Sequence, residues 1–192
     1  VLAGTCTTSF QTSGANRSNN IVVGASRLNN LIVLPGQTVS VSDTILPRTR
    51  ANGYKEAGVY VNGAHTSGLG GGVCQISSTV YNAVKNAGLT VVQRNPHSMP
   101  VNYLPKGLDA AIAAGSKDLK FRNDYMTPVV LYTDTSNKHL TVNVLVWNQE
   151  LAGRSFKLWA KQTGALSADT YFTTYLNGKE ISTQFVGTSR YN

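Results

Sequence analysis

At 192 residues the chain has room for one domain with a good core and, at most, a small appendage. Hydrophobic residues make up 41% and charged residues only 14%, with many Thr, Ser, Asn and Gly, the balance of a β-rich exported protein rather than a charge-laden cytosolic enzyme. Seventeen basic against nine acidic residues give a net charge of +8, but the bases are scattered and no basic strip with interleaved aromatics occurs, which argues against a nucleic-acid partner, while the lack of any run of some 18 apolar residues argues against a membrane-spanning helix.

The chain opens on "VLAGTCTTSF" with no initiator Met, which predicts a piece of a longer precursor whose export signal or anchor lies upstream. In "NRSNNIVVGASRLNN", Ile21, Val22, Ala25 and Leu28 fall at helical spacing and predict a helix over about 16–30, with Ser18 or Asn19 as its cap. "LIVLPGQTVSVSD" is an apolar run, a Pro35-Gly36 turn and an alternating segment from Thr38 to Val41, read as strand, turn, strand. "YKEAGVYVNG" alternates and stops at Asn62-Gly63, a pair that favours a tight hairpin turn.

Next comes "SGLGGGVCQISSTVYNA", three glycines and a valine leading into one of two cysteines. Ile76, Val80, Ala83, Val84 and Ala87 form one apolar stripe, closed by Gly88, and predict a second principal helix over about 75–87. Its polar face (Gln75, Ser78, Asn82, Asn86), together with Tyr54, Tyr60 and Tyr103, would suit a groove for glycan or peptide, although sheet packing is the plainer use of the tyrosines. "LTVVQR" reads as a short strand, and "DLKFRN", "TPVVLYTD" and "KHLTVNVLVWN" as an antiparallel set with a loop at 135–137. Further strands follow Trp147, with Asn177-Gly178 as a second hairpin turn. The fold class is therefore α+β, mainly antiparallel sheet with two principal helices, divided into a domain over 1–150 and a β-rich extension or small module over 151–192.

The segments "CTTSF", "VLPGQTVSVSD", "NGYKEAGVYVNG", "GLGGGVCQISSTVYNAV", "NPHSMPVNYLP" and "DAAIAAGSKDLKFRN", in this order, resemble the VanW family over roughly residues 4–148. The resemblance implies a bacterial cell-envelope setting, mainly in Gram-positive and related organisms, behind an export or anchor segment. It also implies peptidoglycan or another anionic cell-wall polymer as partner, an expectation the net charge of +8 suits. Where many relatives read His-Pro-His, this chain has Asn95-Pro96-His97, so only a role for the first histidine is lost.

Cys74 opens the second helix, where the positive end of the helix dipole and unpaired N–H groups favour thiolate over thiol. Gly70, Gly71 and Gly72 permit close backbone approach, and with Gln75, Ser77 and Ser78 they form the candidate binding set beside it. His97 is the candidate base and Asp109 the candidate acid that orients it, with Glu56 as an alternative acid. The order Cys, His, Asp is analogous to that of transglutaminase-like and papain-like cysteine enzymes, with a shorter Cys-to-His spacing. Plainer roles stand beside these: His97 holding a Pro-flanked turn, Asp109 capping "AAIAA", and Cys74 pairing with Cys6 in a disulfide, the common fate of two cysteines in an exported domain. No short zinc-type ligand pair and no phosphate-binding glycine loop is present, so neither a metal nor another cofactor is expected.

Two functions remain open at this level. One is an exported envelope domain that binds or organises peptidoglycan or another wall component. The alternative is a cysteine-dependent acyl-transferase or peptidase-like enzyme on wall peptides, using Cys74, His97 and Asp109.

Overall fold

Alternation sets the first sheet. In "HLTVNVL" the residues Leu140, Val142 and Val144 are wholly buried and their neighbours are not, the mark of a strand with one face on a core. A computed structural model describes residues 1–61 and 64–192, with the side chains of Tyr60 and Val61 outside the description. Asn62-Gly63, the expected hairpin turn, lies outside the described residues.

In chain order the elements are β1 (Leu2–Ser9), α1 (Ala15–Ser26), β2 (Leu31–Val33), β3 (Thr38–Ser40), α2 (Val41–Ile45), β4 (Glu56–Val61), β5 (Ala64–Leu69) and α3 (Val73–Asn86). They continue as β6 (Thr90–Gln93), β7 (Lys120–Arg122), β8 (Val129–Asp134), β9 (His139–Leu145), α4 (Asn148–Leu151), β10 (Arg154–Gly164), β11 (Ser167–Leu176) and β12 (Lys179–Arg190). The pairings are antiparallel and form a sheet in the order β1-β9-β8-β2, a sheet β3-β7-β6, the hairpin β4-β5 and the meander β10-β11-β12. The fold is α+β, as its alternating and helical segments predict.

α3 lies against β1 and β9 and is the centre of the molecule. Ile76, Val80, Ala83 and Val84 are wholly buried, and so are Ser77, Ser78 and Thr79 on the faces between them. Gly4 of β1 lies where a Cβ would run into the backbone of Ala83 and Ala87, so strand and helix approach as closely as glycine allows. α1 covers another side of α3 with Ile21 and Ala25, and a Cβ on Gly24 would lie 2.5 Å from the end of Ile76.

Three local expectations change. α1 starts at Ala15 after Gly14, with no side-chain cap, while Ser18 Oγ turns back to the Ser13 carbonyl and the Asn19 amide reaches Gly53. The segment after Thr38 is a strand only to Ser40, whose hydroxyl accepts from Asp43 N and starts α2. β7 leaves the β8-β9 set for β3 and β6, where wholly buried Phe121 stands between Val39 and Val91.

The three-stranded sheet after residue 151 packs on α3. Leu158 is buried, its N–H donates to Asn86 Oδ1 at 2.8 Å, and Phe156 covers Gly88. Asn177-Gly178 turns between β11 and β12 with both residues at positive φ, the geometry that this pair favours.

Candidate active site

The glycine-rich stretch is built around its neighbours' side chains. Gly72 has φ +110, where a side chain is strained, and a Cβ there would lie 2.9 Å from Arg17 Cγ. On Gly70, at φ +80, a Cβ would lie 2.8 Å from Arg48 Cδ. On Gly71 it would meet the backbone of Ala57 and Gly58 in β4. Asn20, wholly buried in α1, fixes this path: its amide donates to the carbonyls of Lys55 and Gly71, both at 2.9 Å, and its Oδ1 accepts from Lys55 N.

The path delivers Cys74, half-buried, to the first turn of α3, where backbone N–H groups lack intrahelical acceptors. Its Sγ lies 3.3 Å from the Ile112 carbonyl, and Ile112 N points back at it. Ser77 and Ser78 hydroxyls both reach the Ala110 carbonyl, Ser78 Oγ accepts from Ala110 N, and Asn82 donates to Leu108 O. The irregular segment 108–112 is thereby stitched along α3, and it carries Asp109.

Asp109, with its side chain 1% exposed, meets His97 through one oxygen: Oδ2 accepts the His97 backbone N–H at 2.7 Å and lies 2.6 Å from Nδ1. With Nδ1 engaged by the carboxylate, Nε2 is left for the thiol, and ring and thiol each shift the other's ionisation. Cys74, His97 and Asp109 are therefore brought together, with Asp109 hydrogen-bonded to His97 and His97 acting on Cys74. Glu56, by contrast, pairs with Arg50 at 2.9 Å on the exposed side of β4. Asp109 caps no helix, because 108–112 is irregular.

The electrostatics follow from the chain. Burial pushes Asp109 up, but the hydrogen bonds from His97 and Tyr191 and the charge of Arg94 win and hold it at about 2. Burial lowers His97, yet Asp109 and Cys74 together raise it to about 9. Burial also opposes ionisation of Cys74, and it is outweighed by His97, the Ile112 backbone and the charge of Arg48, so the thiol lies below its ordinary value. Both shifts run toward the charged forms, thiolate for Cys74 and imidazolium for His97.

Cys6 and Cys74 are both free thiols, which corrects the expected disulfide. The reason is the register of β1 along α3. Thr8 bonds Thr79 and Gln75, while Gly4 meets Ala83 and Ala87, so Cys6 faces the middle of the helix, more than one turn beyond Cys74. That is roughly 8 Å or more at about 1.5 Å per residue, past the ~7 Å a disulfide spans. Burial pushes the Cys6 thiol up to about 11.

The other expected residues face inward. Gln75 is 1% exposed and its amide donates to Thr8 Oγ1 and the Ser9 carbonyl. Asn82 and Asn86 serve Leu108, Thr5 and Leu158, so the polar face of α3 is covered rather than an open groove. Tyr54 is core, its hydroxyl on the Ile45 carbonyl, whereas Tyr103 stands by the thiol, under the Arg17 guanidinium at 6.0 Å. Among the described residues neither Arg17 nor Arg48 pairs with a carboxylate, and both act on Cys74 by charge. Nothing in the sequence pattern marks these arginines, Asn20 or Tyr191, because each meets the site from a distant part of the chain, and Arg94, three residues before His97, stands in no motif of its own.

Among the described residues no three His, Cys, Asp or Glu side chains converge as a metal requires, and no helix is long and apolar enough to cross a membrane. No solved structure matches the chain. It is 43% identical over 124 residues to the uncharacterized protein YoaR of Bacillus subtilis (strain 168), covering 65% of this chain and 41% of that protein. It is 34% identical over 114 residues to the vancomycin B-type resistance protein VanW of Enterococcus faecalis (strain ATCC 700802 / V583), covering 57% of this chain and 42% of that protein. The chain thus spans about two-fifths of the length of these relatives. The family described as VanW like protein matches residues 16–145, and the chain belongs to it.

Proposed function

We propose that the chain is a cysteine-dependent acyl-transfer domain acting on peptide amides of the bacterial cell envelope. The observation that carries this reading is the meeting of Asp109, hydrogen-bonded to His97, and His97 with a thiol in the first turn of a buried helix. In this scheme the Cys74 thiolate attacks a peptide carbonyl carbon, and the carbonyl π pair moves to oxygen. The Cys74 backbone N–H, without an intrahelical acceptor, faces the developing charge. Collapse of the adduct breaks the C–N bond, and the imidazolium of His97 gives its Nε2 proton to the leaving amine. A thioester remains. An acceptor amine or water then loses a proton to neutral His97, attacks the thioester and returns the thiolate.

Asp109 stays ionised throughout and orients the ring. The charges of Arg17 and Arg48 beside the thiol, which no carboxylate among the described residues pairs, favour peptides carrying a carboxylate near the scissile amide. The envelope setting rests on family membership and on the net charge of +8, which favours an anionic polymer such as peptidoglycan. Wall binding belongs to this reading as substrate capture rather than as a separate role.

The test is incubation with stem peptides from digested peptidoglycan, read by mass spectrometry, together with labelling by a peptide nitrile that mimics the scissile amide. Wild-type protein should gain one adduct at Cys74 and should cross-link or shorten the peptides, and Cys74→Ser should do neither. Equal product from folded Cys74→Ser would remove the proposal.

A further inference from the structure

Asp109 has two oxygens, and only one faces His97. Oδ1 instead receives the Tyr191 hydroxyl at 2.5 Å and, at the longer distance of 3.4 Å, Arg94. The Tyr191 oxygen itself accepts Gly107 N at 2.7 Å, so its single proton is committed to Asp109. The ring is 6% exposed, and the Tyr191 backbone N–H is tied to the Leu166 carbonyl at 2.8 Å.

Two further contacts run from the same end of the chain to the same place. Ser189 Oγ accepts from Arg94, whose Nε also holds the Asp109 carbonyl at 2.7 Å. Asn192 N donates at 2.7 Å to the carbonyl of Ser98, the residue after His97. These contacts come from residues 189–192, beyond the 16–145 that the family match covers. We propose that the end of the third strand of the C-terminal sheet is a working part of the site and that Tyr191 is the positioning residue of Asp109, deciding which carboxylate oxygen meets His97.

The physical reason is that a carboxylate turns about one soft torsion. Without the hydroxyl, Oδ1 keeps only the long contact to Arg94, and rotation toward a two-point pairing with that guanidinium takes Oδ2 from Nδ1. The functional meaning rests on the acyl-transfer reading, whereas the geometry does not depend on it. The groups facing His97 are Asp109 and Cys74. Around the thiol lie Arg17, Arg48 and Tyr103, and around the carboxylate lie Arg94, Tyr81 and Tyr191.

The experiment is an NMR titration of the His97 ring in the full chain, alongside Cys74 alkylation by iodoacetamide, in wild type and Tyr191→Phe. Loss of the Asp109 contact should lower the His97 midpoint by about one pH unit, at the small end of what a neighbouring opposite charge does. It should also slow alkylation at pH 6 by on the order of 10-fold, because the ring, still protonated there, is no longer held with Nε2 toward the thiol. A merely structural tyrosine would change the melting temperature alone, so a folded Tyr191→Phe with an unmoved midpoint overturns the proposal. If Tyr191→Phe does not fold, Ser189→Ala, which releases Arg94, should move the midpoint in the same direction, and no movement is equally fatal. Neither readout needs turnover, so a failed acyl-transfer assay and a failed coupling are separate results.

Discussion

The backbone N–H and the ring Nδ1 of His97 converge on the same oxygen of Asp109, at 2.7 and 2.6 Å. A carboxylate that holds both the main chain and the ring of one residue leaves the imidazole a single useful orientation, with Nε2 toward the thiol. Loss of His97 therefore removes the main stabiliser of the thiolate. At pH 7, His97→Ala should cut alkylation of Cys74 by iodoacetamide by on the order of 10- to 100-fold, as an unassisted thiol near 8.5 is mostly protonated there. Undiminished labelling in the variant would show that the helix N-terminus alone activates the thiol.

Two thiols of opposite character share the molecule. Burial pushes Cys6 to about 11, while His97, the Ile112 backbone and Arg48 hold Cys74 below the ordinary range. In folded protein at neutral pH one equivalent of iodoacetamide should add at Cys74 and none at Cys6. Denatured, non-reduced protein should take up two. Uptake of none under denaturing, non-reducing conditions would mean that the two are joined after all.

The path from residues to this site was legible in part. The stripe Ile76, Val80, Ala83, Val84 with Gly88 after it announces α3, since helical periodicity needs only local information. The order Cys74, His97, Asp109 likewise suggests a nucleophile, a base and an orienting acid. What periodicity cannot carry is the cover on the polar face of α3. Thr8, Leu108, Ala110 and Leu158 supply that cover from three distant segments, so Gln75, Ser78 and Asn82 look solvent-facing in sequence and are buried in the fold. The same limit hides the link from Tyr191 to Asp109, which spans 82 positions. A disulfide looks reasonable from cysteine count alone, and only the register of β1 along α3 rules it out.

Acid should loosen the molecule through Asp109. Its folded value of about 2 lies below the unfolded value of about 3.9. The stability it contributes is therefore complete above about pH 4 and is lost as pH falls through about 2. The melting temperature should drop across that window in wild type, and the drop should be shallower in Asp109→Asn. Parallel curves would place the acid sensitivity in other carboxylates. For acyl transfer the alkaline side is set by His97: above about pH 9 the imidazolium loses the proton that the leaving amine needs, and turnover should fall there.

The glycine-rich stretch should tolerate little. Gly72→Ala places a side chain at φ +110 and within 2.9 Å of Arg17 Cγ, and Gly71→Ala drives one into the backbone of β4. Strain of this kind costs about 1–3 kcal/mol. Gly72→Ala should lower stability by that order in urea denaturation, and it should also slow Cys74 labelling by shifting the first turn of α3. Gly36→Ala, at φ +74 with open space around it, is the control: it should cost stability without touching the thiol.

Asn20 tests whether the site is held from a distance. Its wholly buried amide makes hydrogen bonds to Lys55 O, Lys55 N and Gly71 O and so links α1, the start of the β4 hairpin and the loop that presents Cys74. Asn20→Ala leaves those groups unsatisfied away from water, at about 1–3 kcal/mol for each unpaired group that cannot relax. A loss of roughly 2–4 kcal/mol by denaturant titration is expected on that basis. Because Gly71 is three residues before Cys74, alkylation of the thiol should slow as well, although Asn20 never touches it. Asn20→Asp keeps the acceptor for Lys55 N and loses both donors, so it should recover little of either property. Full recovery by aspartate would mean that the bond from Lys55 N alone, and not the tether to Gly71, sets the position of the thiol.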